Sequence, residues 1–464
     1  MSTEMKWSDM NLGFWGNIIK WSFKIVFFGF FAIFKLIEYI FSLADSAPKA
    51  PEIPISSDEP CGITFGKKGE KYIVKPESED GHILVVGGVG SGKSSCIAIP
   101  TLQNWNQRIF AIDIKGELYE KTKRNRPNIK VFNPLKQNSY GYDPYYFLQQ
   151  SNNKAQEVRA IAQAIIPLPQ DIKDPFWIES AQSLFAGAIL HFFNEGYSFI
   201  DAVRFIQSMH QQELINTIYQ SSCEQARYYV TSFLDMDNKT LSGIMLEISR
   251  NILPFVTDEN LISCFSKEKN LTPVDLEYGS DIYINIPEHL LRQWKGLLTL
   301  MVSQFLTYFE QRSEENPTPI LFLLDEFPRL GKVGSIIDGL ATLRSKKITI
   351  CLLIQSLAQL DLIYGMNERK VIADTCSYKA ILSATDAETQ EYFSRLVGTY
   401  DKEITTHGTN SSPYVGIPKG QSTNTYEQEK RIIKPEEFAT LNDIVLLSPF
   451  GFLRVEKKPY YLEK

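Results

Sequence analysis

The chain has 464 residues, of which 44% are hydrophobic and 22% charged, and a formal net charge of -6. This length supports two or three domains with substantial cores, and the composition excludes a mostly disordered chain. The acidic balance gives no basic footprint over the whole protein, so any contact with nucleic acid has to be local, for instance inside a channel formed by several subunits.

From Trp21 the chain reads WSFKIVFFGFFAIFKLIEYIFSLA, with an uninterrupted apolar run from Ile25 to Phe34. That run is shorter than the ~20 residues of a bilayer span. A span from about Trp21 to Phe41 is nevertheless formed if Lys24 and Lys35 reach outward to the interface, where Trp15, Trp21 and Tyr39 also fit. The alternative is an amphipathic helix lying in the interface. A cleavable signal is disfavoured, because the charged region before the apolar run is too long. Residues 1–44 are therefore expected to be a membrane anchor, and the Pro/Ser-rich stretch 45–60 a linker.

A nucleotide-binding domain is expected to open with residues 61–150, where GITFG and KYIVK read as short strands. Ile83 to Val86 form a third apolar strand that runs into the spacing G-x-x-x-x-G-K-S at Gly87, Gly92, Lys93 and Ser94. Glycines allow successive backbone N–H groups to turn around an anion, and the helix that follows points its positive end at the same place. Gly87, Gly88, Val89, Gly90, Ser91, Gly92, Lys93, Ser94 and Ser95 are accordingly expected to cradle phosphates. Lys93 would reach the outer phosphates, and the Ser94 hydroxyl would ligate Mg²⁺.

Between residues 151 and 265 the segments SNNKAQEVRAIAQAII, PFWIESAQSLFAGAILHFF, SFIDAVRFIQSM, QQELINTIYQ and QARYYVTSFLDM carry apolar residues at helical spacing, which predicts an all-α domain. His191 and Trp177 fit helix packing there. Strand patterns return in residues 266–464 with DIYINIP, ILFLLDE, ITICLLIQS and YKAILSA, and a helix over RQWKGLLTLMVSQFLTYFEQR separates the first two. The nucleotide domain is thus expected to be split by the helical one, with an α/β fold around a predominantly parallel sheet.

Ile320 to Leu324 is apolar enough to be a central strand buried on both faces, and it ends in Asp325-Glu326. Ligands bind at the carboxyl ends of such strands. Asp325 is expected to hold the Mg²⁺ shell, and Glu326 to orient and deprotonate an attacking water. Gln355, ending the next strand, could contact the γ-phosphate or that water. Arg344 could reach the γ-phosphate of a neighbouring subunit, with Arg329 as its rival. Lys346 and Lys347 are candidates for DNA contacts or simply a solvated basic face. Residues 399–428 are polar and rich in Ser, Thr, Asn and Gly, and read as a mobile loop or irregular hairpin. Six cysteines far apart, with no C-x-x-C pair, read as buried small apolar residues.

Taken in order, GGVGSGKSS, CIAIPTLQNW, IDIKGELYEKT, VFNPL, DPFWIESAQSLFAGAILHFF, LLDEFPRLGKV, LLIQSLAQL and EKRIIKPEEF resemble the coupling ATPases of type IV secretion and conjugation systems, from about Cys61 to the end. The resemblance implies a hexameric ATPase of the bacterial inner membrane, with a RecA-like domain in the cytoplasm, an all-α domain, and ATP and Mg²⁺ as cofactors. Its partners would be the secretion channel and relaxase-bound single-stranded DNA or effector proteins. It also implies that Lys93 and Ser94 are the Walker A pair, Asp325 and Glu326 the Walker B pair, Arg344 the trans arginine and Gln355 the glutamine motif. Ile114 stands where the family has proline in its D-P-K-G-E turn. Two other functions share these features. One is a duplex-DNA translocase of the same superfamily, which has no need of a helical recruitment domain. The other is a nucleotide-binding scaffold, which has no need of Glu326.

Overall fold

Apolar runs broken by turn residues become the strands of one large sheet. The structure, a computed structural model, describes residues 55–170, 172–409 and 421–462. The expected anchor and most of the expected linker lie outside them. Among the described residues no helix is long and apolar enough to cross a membrane.

The strands, in chain order, are β1 (Ser56–Ser57), β2 (Ile63–Lys68), β3 (Lys71–Lys75), β4 (Ile83–Val86), β5 (Arg108–Asp113), β6 (Ile129–Phe132), β7 (Asp281–Asn285), β8 (Ile320–Leu324), β9 (Ile348–Ile354), β10 (Tyr378–Ile381), β11 (Thr399–Thr409), β12 (Gln421–Arg431), β13 (Asp443–Ser448) and β14 (Gly451–Glu456). Twelve of them form one sheet in the order β1-β3-β2-β14-β13-β10-β4-β9-β8-β5-β7-β6. Every pair from β10 across to β6 is parallel. From β10 outward to β1 the sheet is antiparallel. The centre is therefore the expected parallel array, but five antiparallel strands extend it on one side.

β4, β8 and β9 are buried along their whole length. Helices cover both faces of a parallel sheet, so its central strands are apolar throughout rather than alternating. Because the strands are parallel, the carboxyl ends of β4, β5, β8 and β9 share one edge.

The chain between β6 and β7 is helical, with Lys154–Ile165, Phe176–Asn194, Phe199–Ser208, Gln211–Tyr219 and Glu224–Val230 falling on the segments read from periodicity. A further helix, Asn238–Thr257, is started by Asp237, whose side chain accepts the N–H groups of Lys239 and Thr240. Helix Lys295–Glu310 is buried on almost every side. It joins the sheet and the helical run into one continuous hydrophobic cluster. His191 is buried with its Nδ1 2.8 Å from Ser221 Oγ. Trp177 is half exposed, yet its ring lies where a Cβ on Gly243 would meet it at 2.7 Å.

Of the two alternatives for residues 399–428 the structure has the hairpin, more regular than expected, and the reading of the cysteines needs correction. β11 and β12 form a regular antiparallel hairpin, paired without a break from Thr399↔Arg431 to Thr409↔Gln421. The threonines that helped to suggest a loop are also β-branched strand formers, and backbone pairing needs no buried face. Cys96, Cys264, Cys351 and Cys376 are buried, but Cys61 is exposed and Cys223 only partly covered. Cys61 sits at the entry to β2, before the sheet has closed over the chain.

Helix Leu357–Thr375, which follows β9, is interrupted at Gly365 by a residue with φ 74° and ψ 164°. A Cβ there would approach Gln170 Nε2 to 2.7 Å. Lys332 Nζ holds the Gln170 amide oxygen at 3.0 Å and Glu368 at 2.9 Å.

A buried clamp ties helix Ile99–Asn104 to the amino ends of β5 and β7. Arg126 Nε donates to Asp281 Oδ2 at 2.5 Å and Nη2 to Oδ1 at 3.0 Å. Nη1 donates to the carbonyls of Leu102 and Trp105, at the end of the helix that leaves the loop. Asp281 Oδ1 also accepts the Ile109 N–H of β5 at 3.0 Å. Removing one partner of such a pair leaves a buried charge uncompensated. We predict that Arg126→Ala destabilises the protein by roughly 3–5 kcal/mol, measured by thermal or denaturant unfolding, and that a loss below about 1 kcal/mol would contradict the clamp.

Candidate nucleotide site

The loop after β4 is shaped by residues that only glycine fits well. Gly90 and Gly92 have φ of 75° and 100°. A Cβ on Gly87 would fall 2.3 Å from Ser91 Oγ. The loop is pinned at its base, since Gly87 N–H donates to Ile354 O at 3.1 Å and Gly88 N–H to Ser383 Oγ at 3.0 Å. Val89, at the tip, is 88% exposed. From Gly92 the chain enters a helix through wide π-type turns over Lys93–Ala98 and continues as Ile99–Asn104. Ser94 and Ser95 thus occupy its first turn.

Lys93 is buried, and its Nζ donates to Gly87 O at 2.6 Å. It also lies 3.8 Å from Glu326 Oε1. Burial lowers the pKa of its ammonium, while Glu326 and Asp325 oppose that shift.

Asp325 and Glu326 follow β8 and are both buried. Glu326 has φ 48°, a left-handed conformation unusual outside glycine that costs of order 1–3 kcal/mol. That backbone turn lets its carboxylate face two partners at once, Lys93 on one side and Gln355 on the other. Gln355 Nε2 donates to Glu326 Oε2 at 2.9 Å. Burial, and then the negative charges of Glu326 and Asp113, push Asp325 up to about 7 against the pull of Lys93 and Lys115.

Asp113, at the end of β5, completes the acidic edge. Its Oδ2 accepts the Tyr119 N–H at 2.8 Å, which starts helix Glu117–Thr122, and its Oδ1 is buried without a hydrogen-bond partner among the described residues. Gly116, with φ 71°, makes the turn, so Ile114 serves as a buried residue where the resemblance has proline. Reading residues one at a time did not assign Asp113, Lys115 or Ser383 to the site. The signal for them is positional, because each ends or follows a strand whose carboxyl end lies on this edge.

The structure thus gathers Gly87 through Ser95, Asp325, Glu326 and Gln355 on one edge. Arg344 is elsewhere. It is exposed and precedes β9, at the amino edge, where its charge acts on His82 at the start of β4. Arg329 lies near the site but is paired with Glu288. Lys346 and Lys347 pair with Glu314 and Asp80.

The residues present fit a magnesium nucleotide. The loop's turned N–H groups and the first helical turn suit phosphates, and the buried Ser91 Oγ has no partner among the described residues. No cluster of three or more His, Cys, Asp or Glu side chains suitable for a metal occurs among the described residues. Such a cluster is not needed, since Mg²⁺ is commonly held by one or two protein groups together with phosphate oxygens.

A parallel sheet that brings a glycine loop with its lysine to the same edge as an Asp-Glu pair defines a RecA-like P-loop α/β protein. The chain belongs to the family described as type IV secretory system conjugative DNA transfer, whose model matches residues 48–464. It is 26% identical over 423 residues to protein VirD4 of Rhizobium radiobacter, covering 87% of this chain and 60% of that protein. It is 24% identical to the conjugal transfer protein TraG of Escherichia coli, covering 83% and 65%. The chain spans about three fifths of the length of the VirD4 relatives it matches. Among solved structures, the conjugative coupling protein TrwBΔN70 superposes with a TM-score of 0.68 at 17% identity, covering 88% of this chain and 90% of that one. TrwB in complex with ADP and Mg²⁺ gives 0.66 at 17% identity, covering 83% and 87%.

The raised Asp325 pKa has a consequence for stability. Asp325 loses its proton near 3.8 when unfolded but near 7 in the folded chain. Between these values the folded chain holds a proton that the unfolded one has released, so this group's contribution falls as pH rises from about 4 through about 7. In chelator-treated, nucleotide-free protein, Asp325→Asn is expected to raise the melting temperature relative to wild type at pH 8, with the difference closing towards pH 5. A difference that does not change with pH would contradict this account.

Proposed function

We propose that this protein is a membrane-anchored, ring-forming ATPase that couples DNA, or proteins carrying DNA, to a type IV secretion channel. The observation that carries the reading is the chain of contacts Gly87–Lys93–Glu326–Gln355 at the sheet edge, in a member of a conjugative DNA transfer family.

In this reading Gly88 through Ser95 hold the phosphates through backbone N–H groups, and Lys93 leaves Gly87 O to neutralise the outer phosphates. Ser94 and Asp325 hold Mg²⁺, which, when bound, offsets negative charge on the phosphates and favours ionised Asp325. Glu326 accepts the proton of a water placed at its carboxylate. Gln355 keeps that carboxylate aimed and senses whether a γ-phosphate is present. A scaffold that only binds nucleotide would gain nothing from a strained, buried glutamate in this position. The helical run between β6 and β7 favours a recruiting coupling protein over a bare duplex translocase.

Arg344 supports the ring. It lies at the amino edge of its own sheet, far from its own loop, so it can serve a phosphate only on a neighbouring copy. A closed homo-hexamer provides that neighbour for every subunit.

Turnover of ATP measured against protein concentration, with and without single-stranded DNA, tests this directly. Turnover per chain is expected to rise with concentration. Lys93→Ala and Glu326→Gln are each expected to lower it by roughly 10²-fold or more, while Glu326→Gln still binds ATP. Arg344→Ala should be inactive alone yet partly restored by mixing with Lys93→Ala chains, whose own arginines are intact. Full activity of Arg344→Ala chains alone would refute the trans arginine, and full activity of Glu326→Gln would refute the motor.

A further inference from the structure

The segment after β14 returns to the phosphate loop. Lys457 Nζ donates to Leu382 O at 3.0 Å and Leu441 O at 2.8 Å. Leu382 is the residue whose N–H donates to Val86 O, immediately before the loop. Three residues on from Lys457, the Tyr460 N–H donates to Ser95 O at 2.9 Å, and the Leu462 N–H closes a turn on Pro459 O at 2.9 Å. The turn therefore ties the backbone of two adjacent aromatic residues to the first turn of the loop's helix. Lys121 Nζ lies 5.9 Å from the centre of the Tyr460 ring. Tyr461 meets Tyr460 nearly at right angles, with centroids 5.3 Å apart at 81°, and is 59% exposed.

The direction of a bound phosphate chain follows from the site. Glu326 marks the end where the outermost phosphate lies, beside Lys93, and the helix N–H groups continue to Ser95 at the other end. The inner phosphate, the sugar and the base must leave on the Ser95 side, where the Tyr460-Tyr461 turn sits. Tyr460 is held by its backbone and flanked by Lys121, whereas Tyr461 is exposed.

We infer that Tyr461 is the stacking contact for the base of the bound nucleotide, with Tyr460 positioning it. This rests on the nucleotide-binding reading above. A ring face offers no hydrogen-bond pattern to read, so the contact accepts either purine.

The test uses the full-length chain in detergent and compares binding of ADP with that of inorganic pyrophosphate, which lacks a base. Tyr461→Ala is expected to weaken ADP roughly five- to twentyfold, within what base stacking on an aromatic ring supplies, and to leave pyrophosphate unchanged. Tyr461→Trp is expected to retain ADP affinity, and its added indole emission should be quenched by ADP but not by pyrophosphate. Equal losses for both ligands, or no loss for either, would overturn the stacking role. Failure of wild type to bind either ligand, or indifference of both to Lys93→Ala, would overturn the nucleotide reading itself.

Discussion

The constraint on which the rest of the molecule depends is electrostatic: three carboxylates, Asp113, Asp325 and Glu326, are buried at one edge of a parallel sheet. A parallel array leaves no choice about this, because every strand delivers its carboxyl end to the same side. Burial without full compensation is costly, and the raised Asp325 pKa records that cost. Lys93 supplies one positive charge from within, 3.8 Å from Glu326. A divalent cation with polyphosphate suits such an edge because it brings charge of both signs together with its own oxygen ligands.

The scaffold keeps that edge in place by fixing the layers behind it. Arg126 ties the end of the loop's helix to β7 through Asp281, and Asp281 in turn accepts from β5. Phe110 of β5 stacks on Phe322 of β8 and meets Phe305 of the buried helix at a tilt, with centroids 4.8 and 4.9 Å away. These contacts run from the sheet into the helix that adjoins the helical run, so the hydrophobic core has no break there.

Much of this was legible in the sequence, because the physics that places the residues is local. A short apolar strand followed by G-x-x-x-x-G-K-S, and a second ending in Asp-Glu, specify two strand ends, and the parallel sheet brings them together. The helical run was legible from its period. Less legible were the elements whose signal is weak or two-sided. β6, IKVF, is an edge strand carrying a lysine, with only Phe132 fully buried. β13 and β14 meet through the tight turn in LLSPFGFLRV, where the apolar content alone does not identify a hairpin. Residues 399–409 are polar and lack the alternation that marks a half-buried strand. The helix Asn238–Thr257 contains Gly243 and Pro254, which interrupt its pattern, although Gly243 is there to admit the Trp177 ring. Asp113, the last residue of β5, and Ser383, just after β10, are ordinary polar residues, and only strand order shows that they share the edge with the loop.

Gly365 divides the helix after β9 into two segments, the first starting directly beyond Gln355 and Ser356. A continuous helix resists bending because each residue is tied to the one four places back. At Gly365 the backbone turns to a positive φ of 74°, a conformation that favours glycine, and an added Cβ would meet Gln170 Nε2 at 2.7 Å. The segment that starts beyond Gln355 is therefore a short, separate piece whose far end lies against Gln170, so the end of β9 and the chain that leads into helix Phe176–Asn194 are linked without passing through the sheet.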